Sequence, residues 1–139
     1  MKLAEGRNDV YILAGTRQLV LVADVDHRAF IASTWSHIAR DYAPENRCSR
    51  YIYRLGQKAT CDMLLDHGGV TVLVPEQDHY TVNGWVAKCD GAVVMGYTPP
   101  ELRRLGIFEC LCLHGSDGVV LSQPPPFSKP DGWTFKWEE

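Results

Sequence analysis

Between Val93 and Phe108 an apolar β-type run is cut off by Pro99-Pro100, and a basic turn carrying Arg103, Arg104 and Gly106 then opens a helix. Proline fixes φ and has no N–H to give to a ladder, so the strand has to end there. A strand that stops at a helix start aims several backbone N–H groups at one point, and the helix dipole adds partial positive charge. Arg103 and Arg104 add full charge, and Gly106 lets the backbone approach a ligand. The joint is therefore a candidate phosphate seat.

The residues before it fix its surroundings. Val82 to Cys89 reads as a strand with Trp85 and Ala87 on one face and Val86 and Lys88 on the other. Asp90-Gly91 is a two-residue hairpin signal leading into Ala92 to Thr98. Val70 to Val74 is a shorter apolar strand ended by Pro75, and Glu76-Gln77-Asp78-His79 is a polar turn. Three antiparallel strands are thus expected in succession, the last of them ending at the joint.

Upstream, Met1 to Asn8 is polar and aperiodic and reads as a loose arm. Val10 to Ala14 and Leu19 to Val25 are β-rich runs divided by Gly15-Thr16-Arg17. Asp26 sits where an N-cap belongs, and Ala29, Phe30, Ile31, Trp35, Ile38 and Ala39 recur with helical spacing up to Arg40. Trp35 reads as core and His37 as a solvated or satisfied histidine. Tyr42 to Arg50 reads as a loop with a possible cap at Ser49. Tyr51 to Asp66 follows as a second helix with Ile52, Leu55, Ala59 and Met63 on one side, Leu64 and Leu65 adding to the apolar face, and Gly68-Gly69 as the stop. Arg47, Arg50, Arg54 and Lys58 form a basic face, read as solvated.

Downstream, the helix is expected to run on through His114 with Leu111, Cys110 and Cys112 packing inward, until Gly115-Ser116-Asp117-Gly118 stops it. Val119 to Gln123 is a further strand, and 124–139 an extended C-terminal segment in which Gly132 to Trp137 alternates as an aromatic strand. Its aromatics suit a core or an interface.

Bulk properties bound the reading. With 139 residues the chain is most simply a single domain, burying roughly 70% of the surface its unfolded form exposes. A net charge of −3 with mixed placement gives no broad basic field, which argues against nucleic acid as a partner. No apolar run nears the roughly 20 residues that span a bilayer, so an intracellular, non-membrane protein is expected. Five cysteines without framework spacing read as reduced thiols. In Cys110-x-Cys112-x-His114 the two thiols would point about 200° apart on a helix, which does not suit one tetrahedral ion.

The order of strand, two helices, three antiparallel strands, helix, strand, strand resembles that of the GNAT N-acetyltransferases. Their pattern is a hydrophobic strand and a proline, then Arg or Gln-x-x-Gly-x-Gly or Ala; here Pro100, Arg103 and Gly106 hold the corresponding positions. More narrowly, Gly84-Trp85-Val86-Ala87 and the stretch Tyr97 to Ile107, with Pro100 and Arg103-Arg104-Leu105-Gly106, are similar to small acetyltransferase-like proteins encoded by bacteriophages.

The resemblance implies an α/β (α+β) fold whose mixed, mostly antiparallel central sheet carries helices on both faces. It implies acetyl-CoA as cofactor: Gly96, Tyr97 and Thr98 would lend backbone to the pantetheine arm, and Arg103, Arg104, Leu105, Gly106, Ile107 and Phe108 would hold the pyrophosphate. A primary amine of a small molecule or protein would attack the thioester directly, with Glu76, Asp78 or His79 as weak candidates for its base. The sequence departs from the family where Phe108 replaces the last small residue, and where all six tyrosines lie at or before Tyr97, so the usual proton donor to the thiolate is missing. A catalytically degenerate member, serving as a virion component or host-protein binder, is the alternative expectation. The host cytoplasm or the virion would be its location.

Overall fold

The computed structural model describes residues 4–5, 10–41, 50–114, 120–121 and 132–135. In chain order the elements are β1 (Ala4–Glu5), β2 (Val10–Leu13), β3 (Thr16–Val22), α1 (Val25–Asp41), α2 (Arg50–Asp66), β4 (Val70–Pro75), β5 (Gly84–Cys89), β6 (Ala92–Tyr97), α3 (Ile107–Leu113), β7 (Val120–Leu121) and β8 (Thr134–Phe135). The strands form one sheet in sequential order. From β1 to β6 every pair is antiparallel, whereas β6–β7 and β7–β8 are parallel.

Local chemistry sets the two tight hairpins. Ala14-Gly15 and Asp90-Gly91 both carry positive φ at both turn residues (51° and 80°, 51° and 78°), the combination that matches the twist of the flanking strands. The first turn therefore begins one residue earlier than the Gly15-Thr16-Arg17 break suggested, and Thr16 and Arg17 already belong to β3. Ala4–Glu5 pairs with Ile12 and Tyr11, so part of the segment read as a loose arm extends the sheet.

Strict alternation along β4 and β5 gives the sheet two apolar faces, as a sheet covered on both sides needs. Val70, Val72, Val74, Trp85 and Ala87 meet Ile31, Trp35, Ala39, Cys61, Leu64 and Leu65 of α1 and α2. Leu73, Val86 and Val93 face the other way, onto Ile107, Leu111 and Cys112 of α3 and onto Trp133. The expected fold class, mixed and mostly antiparallel with helices on both faces, is the one observed.

Asp24 rather than Asp26 begins α1: its Oδ1 accepts from Asp26 N–H at 2.9 Å. At the end of α2 Gly68 takes φ 72°, with Gly69 N–H bonded to Leu64 O at 2.7 Å and Gly68 N–H to Leu65 O at 3.4 Å, a Schellman closure. The face that α2 buries is Cys61, Leu64 and Leu65, while Leu55, Ala59 and Met63 are exposed, which corrects the sequence expectation. The side chain of Ile52, like the loop before Arg50 with Ser49 and Arg47, lies outside the described residues.

Candidate functional site

β6 runs from its hairpin with β5 to the joint, and its two sides differ among the described residues. It pairs with β5 from Ala92 to Tyr97, with a register shift at Ala87/Lys88 produced by an extra residue, Val94, on β6. Among the described residues, its pairing with β7 covers Ala92↔Val120 and Val93↔Leu121. Past that point Met95, Gly96 and Tyr97 have β5 on one side and, among the described residues, no strand on the other.

The chain leaving β6 turns in two stages. Pro100–Leu102 forms a short 3-10 turn closed by Leu102 N–H to Pro99 O at 2.9 Å. Arg103 is extended, Arg104 has φ 68° and Gly106 has φ 84°, and α3 begins at Ile107, directly after the basic, glycine-containing turn expected to open it. A non-glycine residue in the left-handed region costs roughly 1–2 kcal/mol, so Arg104 is held there by its surroundings. Arg104 and Gly106, both left-handed, flank Leu105, whose φ is not positive, an alternation of backbone handedness of the kind from which anion nests are built. A Cβ on Gly106 would meet no atom within 4 Å, so the space beside the nest is open.

The arginines differ. Arg103 folds back: its Nε donates to Thr98 O at 3.0 Å and its guanidinium lies 6.0 Å from the centre of the Tyr97 ring. Arg104 is exposed at the head of the nest. Sequence spacing gave Arg103 the matching position, but of the two it is the one already engaged with β6.

Phe108 turns toward the sheet. A Cβ on Gly96 would sit 2.6 Å from its Cδ2, and its ring centre is 6.2 Å from that of Trp133. Gly84 does the same for Ile107, whose Cγ2 would be 2.7 Å from an added Cβ. The two glycines let α3 lie directly on β5 and β6, and Phe108 packs there instead of crowding the nest. Across the sheet, Tyr97 continues an aromatic ladder: Trp35 stacks on Trp85 at 5.5 Å, Trp85 lies 6.5 Å from Tyr97, and Phe30 meets Tyr97 edge-on at 6.0 Å.

The candidate proton acceptors lie elsewhere. Glu76 Oε2 pairs with Arg17 Nε at 3.0 Å. Asp78 accepts from Thr81 Oγ1 at 2.6 Å and from Tyr80 N–H at 3.2 Å, bonds that hold its carboxyl below the usual range. His79 offers its backbone oxygen to the buried His27, 2.6 Å from Nε2. Asp24, Asp26, His27, Glu76, Asp78 and His79 line a cleft of about 370 Å³ to which no residue of the β6–α3 joint contributes. Of the joint's candidates, Arg103 and Phe108 thus turn back onto β6 and Arg104 is exposed, while Glu76 and His79 lie in a separate cleft. His27 escaped the sequence reading because nothing local marks it; its burial comes from the loop after β4 folding over α1.

At the far end of α3, Lys88 Nζ donates to Cys112 O at 2.6 Å, and burial pushes the Cys112 thiol up to about 12. Cys112 is fully buried while Cys110 is half-buried, so only one of the two expected inward thiols is in the core.

No family model and no curated protein matches the sequence. Among solved structures the fold is similar to an acetyltransferase of the GNAT family from Listeria monocytogenes, with a TM-score of 0.48, 11% identity, and coverage of 72% of this chain and 68% of that one.

Proposed function

We propose that this chain is a GNAT-like N-acetyltransferase that takes acetyl-CoA and transfers its acetyl group to a primary amine by direct attack. The observation that supports the reading best is the end of β6, whose last three residues carry no second strand among the described residues, leading straight into a turn of left-handed residues headed by Arg104. An extended amide-bearing arm can lie along Met95 to Tyr97 as an added strand, and its diphosphate end then falls at the nest. The fit is favoured further by the clear space at Gly106 and by the inward turn of Phe108. Coenzyme A, when bound, supplies the activated thioester.

The chain's own contribution is positioning. Backbone groups of Gly96 and Tyr97 hold the arm, and N–H groups from Arg104 to Phe108 receive the phosphates. A backbone N–H near Tyr97 or Thr98 polarises the carbonyl, an effect worth roughly 2.7–4 kcal/mol where it has been measured in other sites. The six tyrosines of this sequence lie at or before Tyr97, which leaves water, Cys110, Cys112 or Ser122 to protonate the thiolate. The acceptor is an amine of a small molecule or a protein, and the setting is the cytoplasm of a phage-infected host.

Calorimetric titration with acetyl-CoA tests this. Wild type should bind, Arg104→Ala should weaken binding roughly tenfold or more through the lost charged contact, and Gly106→Glu should abolish it. No heat and no thermal shift at millimolar ligand would sink the proposal. A second reading, a non-catalytic virion component or host-protein binder, is favoured by one observation: the separation of Glu76 and His79 from the joint. Binding without release of free CoA in the presence of any amine, together with co-purification with phage particles, would support it.

A further inference from the structure

Thr98 Oγ1 is buried and has no hydrogen-bond partner, the single such side-chain atom among the described residues. Other polar side chains in the core are matched. Asn83 Nδ2 donates to Gln18 Oε1 at 2.8 Å, Trp35 Nε1 to Gln57 Oε1 at 2.9 Å, and Trp85 Nε1 to Thr34 Oγ1 at 2.8 Å. An orphaned buried hydroxyl is rare and destabilising, and valine has the same shape without the polar atom.

The local sequence explains why the hydroxyl finds nothing. A threonine at a turn ordinarily accepts from the N–H one or two residues on, and here both are prolines, Pro99 and Pro100, which have none. In a helix it donates to the carbonyl four residues back, as Thr34 does to Phe30 O and Thr60 to Gly56 O, both at 2.9 Å; Thr98 is not helical. Its own carbonyl is taken by Arg103. The hydroxyl is shielded from bulk water at the first residue after β6, where the strand passes into the turn. The Pro100–Leu102 turn that follows buries none of its residues, so local opening there disturbs little packing.

We propose that the Thr98 hydroxyl is a ligand-binding group of this joint, donating to an oxygen of the seated cofactor. This rests on the reading of the joint as an acyl-CoA site. The acceptor is either an amide carbonyl of the arm or a diphosphate oxygen; both take one O–H donor.

The test compares Thr98→Val and Thr98→Ser with wild type, using thermal unfolding without ligand and calorimetry with CoA and, separately, with ADP. Thr98→Val should raise the Tm of the free protein by roughly 2–5 °C, because the orphan is gone, and should weaken CoA binding roughly three- to tenfold. Thr98→Ser should bind as wild type does. A loss with CoA alone assigns the amide carbonyl, and a loss with both ligands assigns the phosphate. Wild-type CoA affinity in Thr98→Val overturns the inference while the cofactor reading stands. Failure of wild type to bind CoA overturns both.

Discussion

Gly96 owes its identity to a neighbour and not to its own backbone. Its φ lies outside the left-handed region, yet the Phe108 ring occupies the place a Cβ would take. Gly96→Ala should therefore cost about 1–3 kcal/mol in urea denaturation by overpacking. Phe108→Leu should recover part of that loss in the same background, a coupling that a double-mutant cycle reads directly. Arg104 is the opposite case, a side chain kept where the backbone favours glycine. Arg104→Gly should be more stable than Arg104→Ala by roughly 1 kcal/mol, although both lose the same charge and should weaken acetyl-CoA binding alike. Cys61 and Cys112 carry a pH signature. Burial pushes the first thiol up to about 11 and the second to about 12. The folded state keeps both protonated while the unfolded chain ionises from about pH 9, so their contribution is full below pH 9 and is lost progressively as pH rises toward 11–12. Lys88, whose ammonium is pushed down by burial, titrates with the opposite sign. The effect is therefore best read as a difference: between pH 8 and 10 the urea midpoint of wild type should fall more than that of Cys112→Ala.

At the scale of elements, what could be read in the sequence was what depends on near neighbours. Asp90-Gly91 specifies its turn by itself, and Gly68-Gly69 its helix end, so Gly68→Ala should cost about 1 kcal/mol or more through strain at φ 72°, measurable by thermal unfolding. The buried face of α2 was not legible. Leu55, Ala59 and Met63 make an apolar row at helical spacing, but the sheet receives Cys61, Leu64 and Leu65. An amphipathic pattern with two apolar rows leaves the choice between them to tertiary packing. The joint was legible as a place, because prolines, arginines and glycine announce it. Its conformation was not, since nothing in the local sequence marks Arg104, a non-glycine residue, as left-handed. Lys88 belongs to the same scale: Lys88→Met should cost about 1–3 kcal/mol by leaving the last carbonyls of α3 without their donor.

For the whole molecule, the sheet divides the labour. One face, under α1 and α2, holds the stacked Trp35 and Trp85, and the other, under α3, takes Leu102, Leu105 and Phe108 of the joint. Arg28 bridges α1 to α2 through Asp66 and Asp62 at 2.7 and 3.2 Å, but these carboxylates are largely exposed, so Arg28→Ala should change stability by less than about 1 kcal/mol. The candidate base residues sit in another cleft, so acceptor binding and cofactor binding should respond independently to mutation of His79 and of Arg104.

The sequential order of the strands also bears on synthesis. Emerging from the ribosome, β5, β6 and α3 are complete before residues 120–135 exist, and a hairpin of this kind closes in about 1–10 μs, far faster than translation advances. For that interval β6 is an unguarded edge, the sort of surface that recruits another nascent chain. The extra residue at Val94 is a safeguard built into the strand itself: a bulge twists the edge away from flat pairing just where exposure is greatest. A local irregularity in the finished sheet thus also protects the unfinished chain from aggregation.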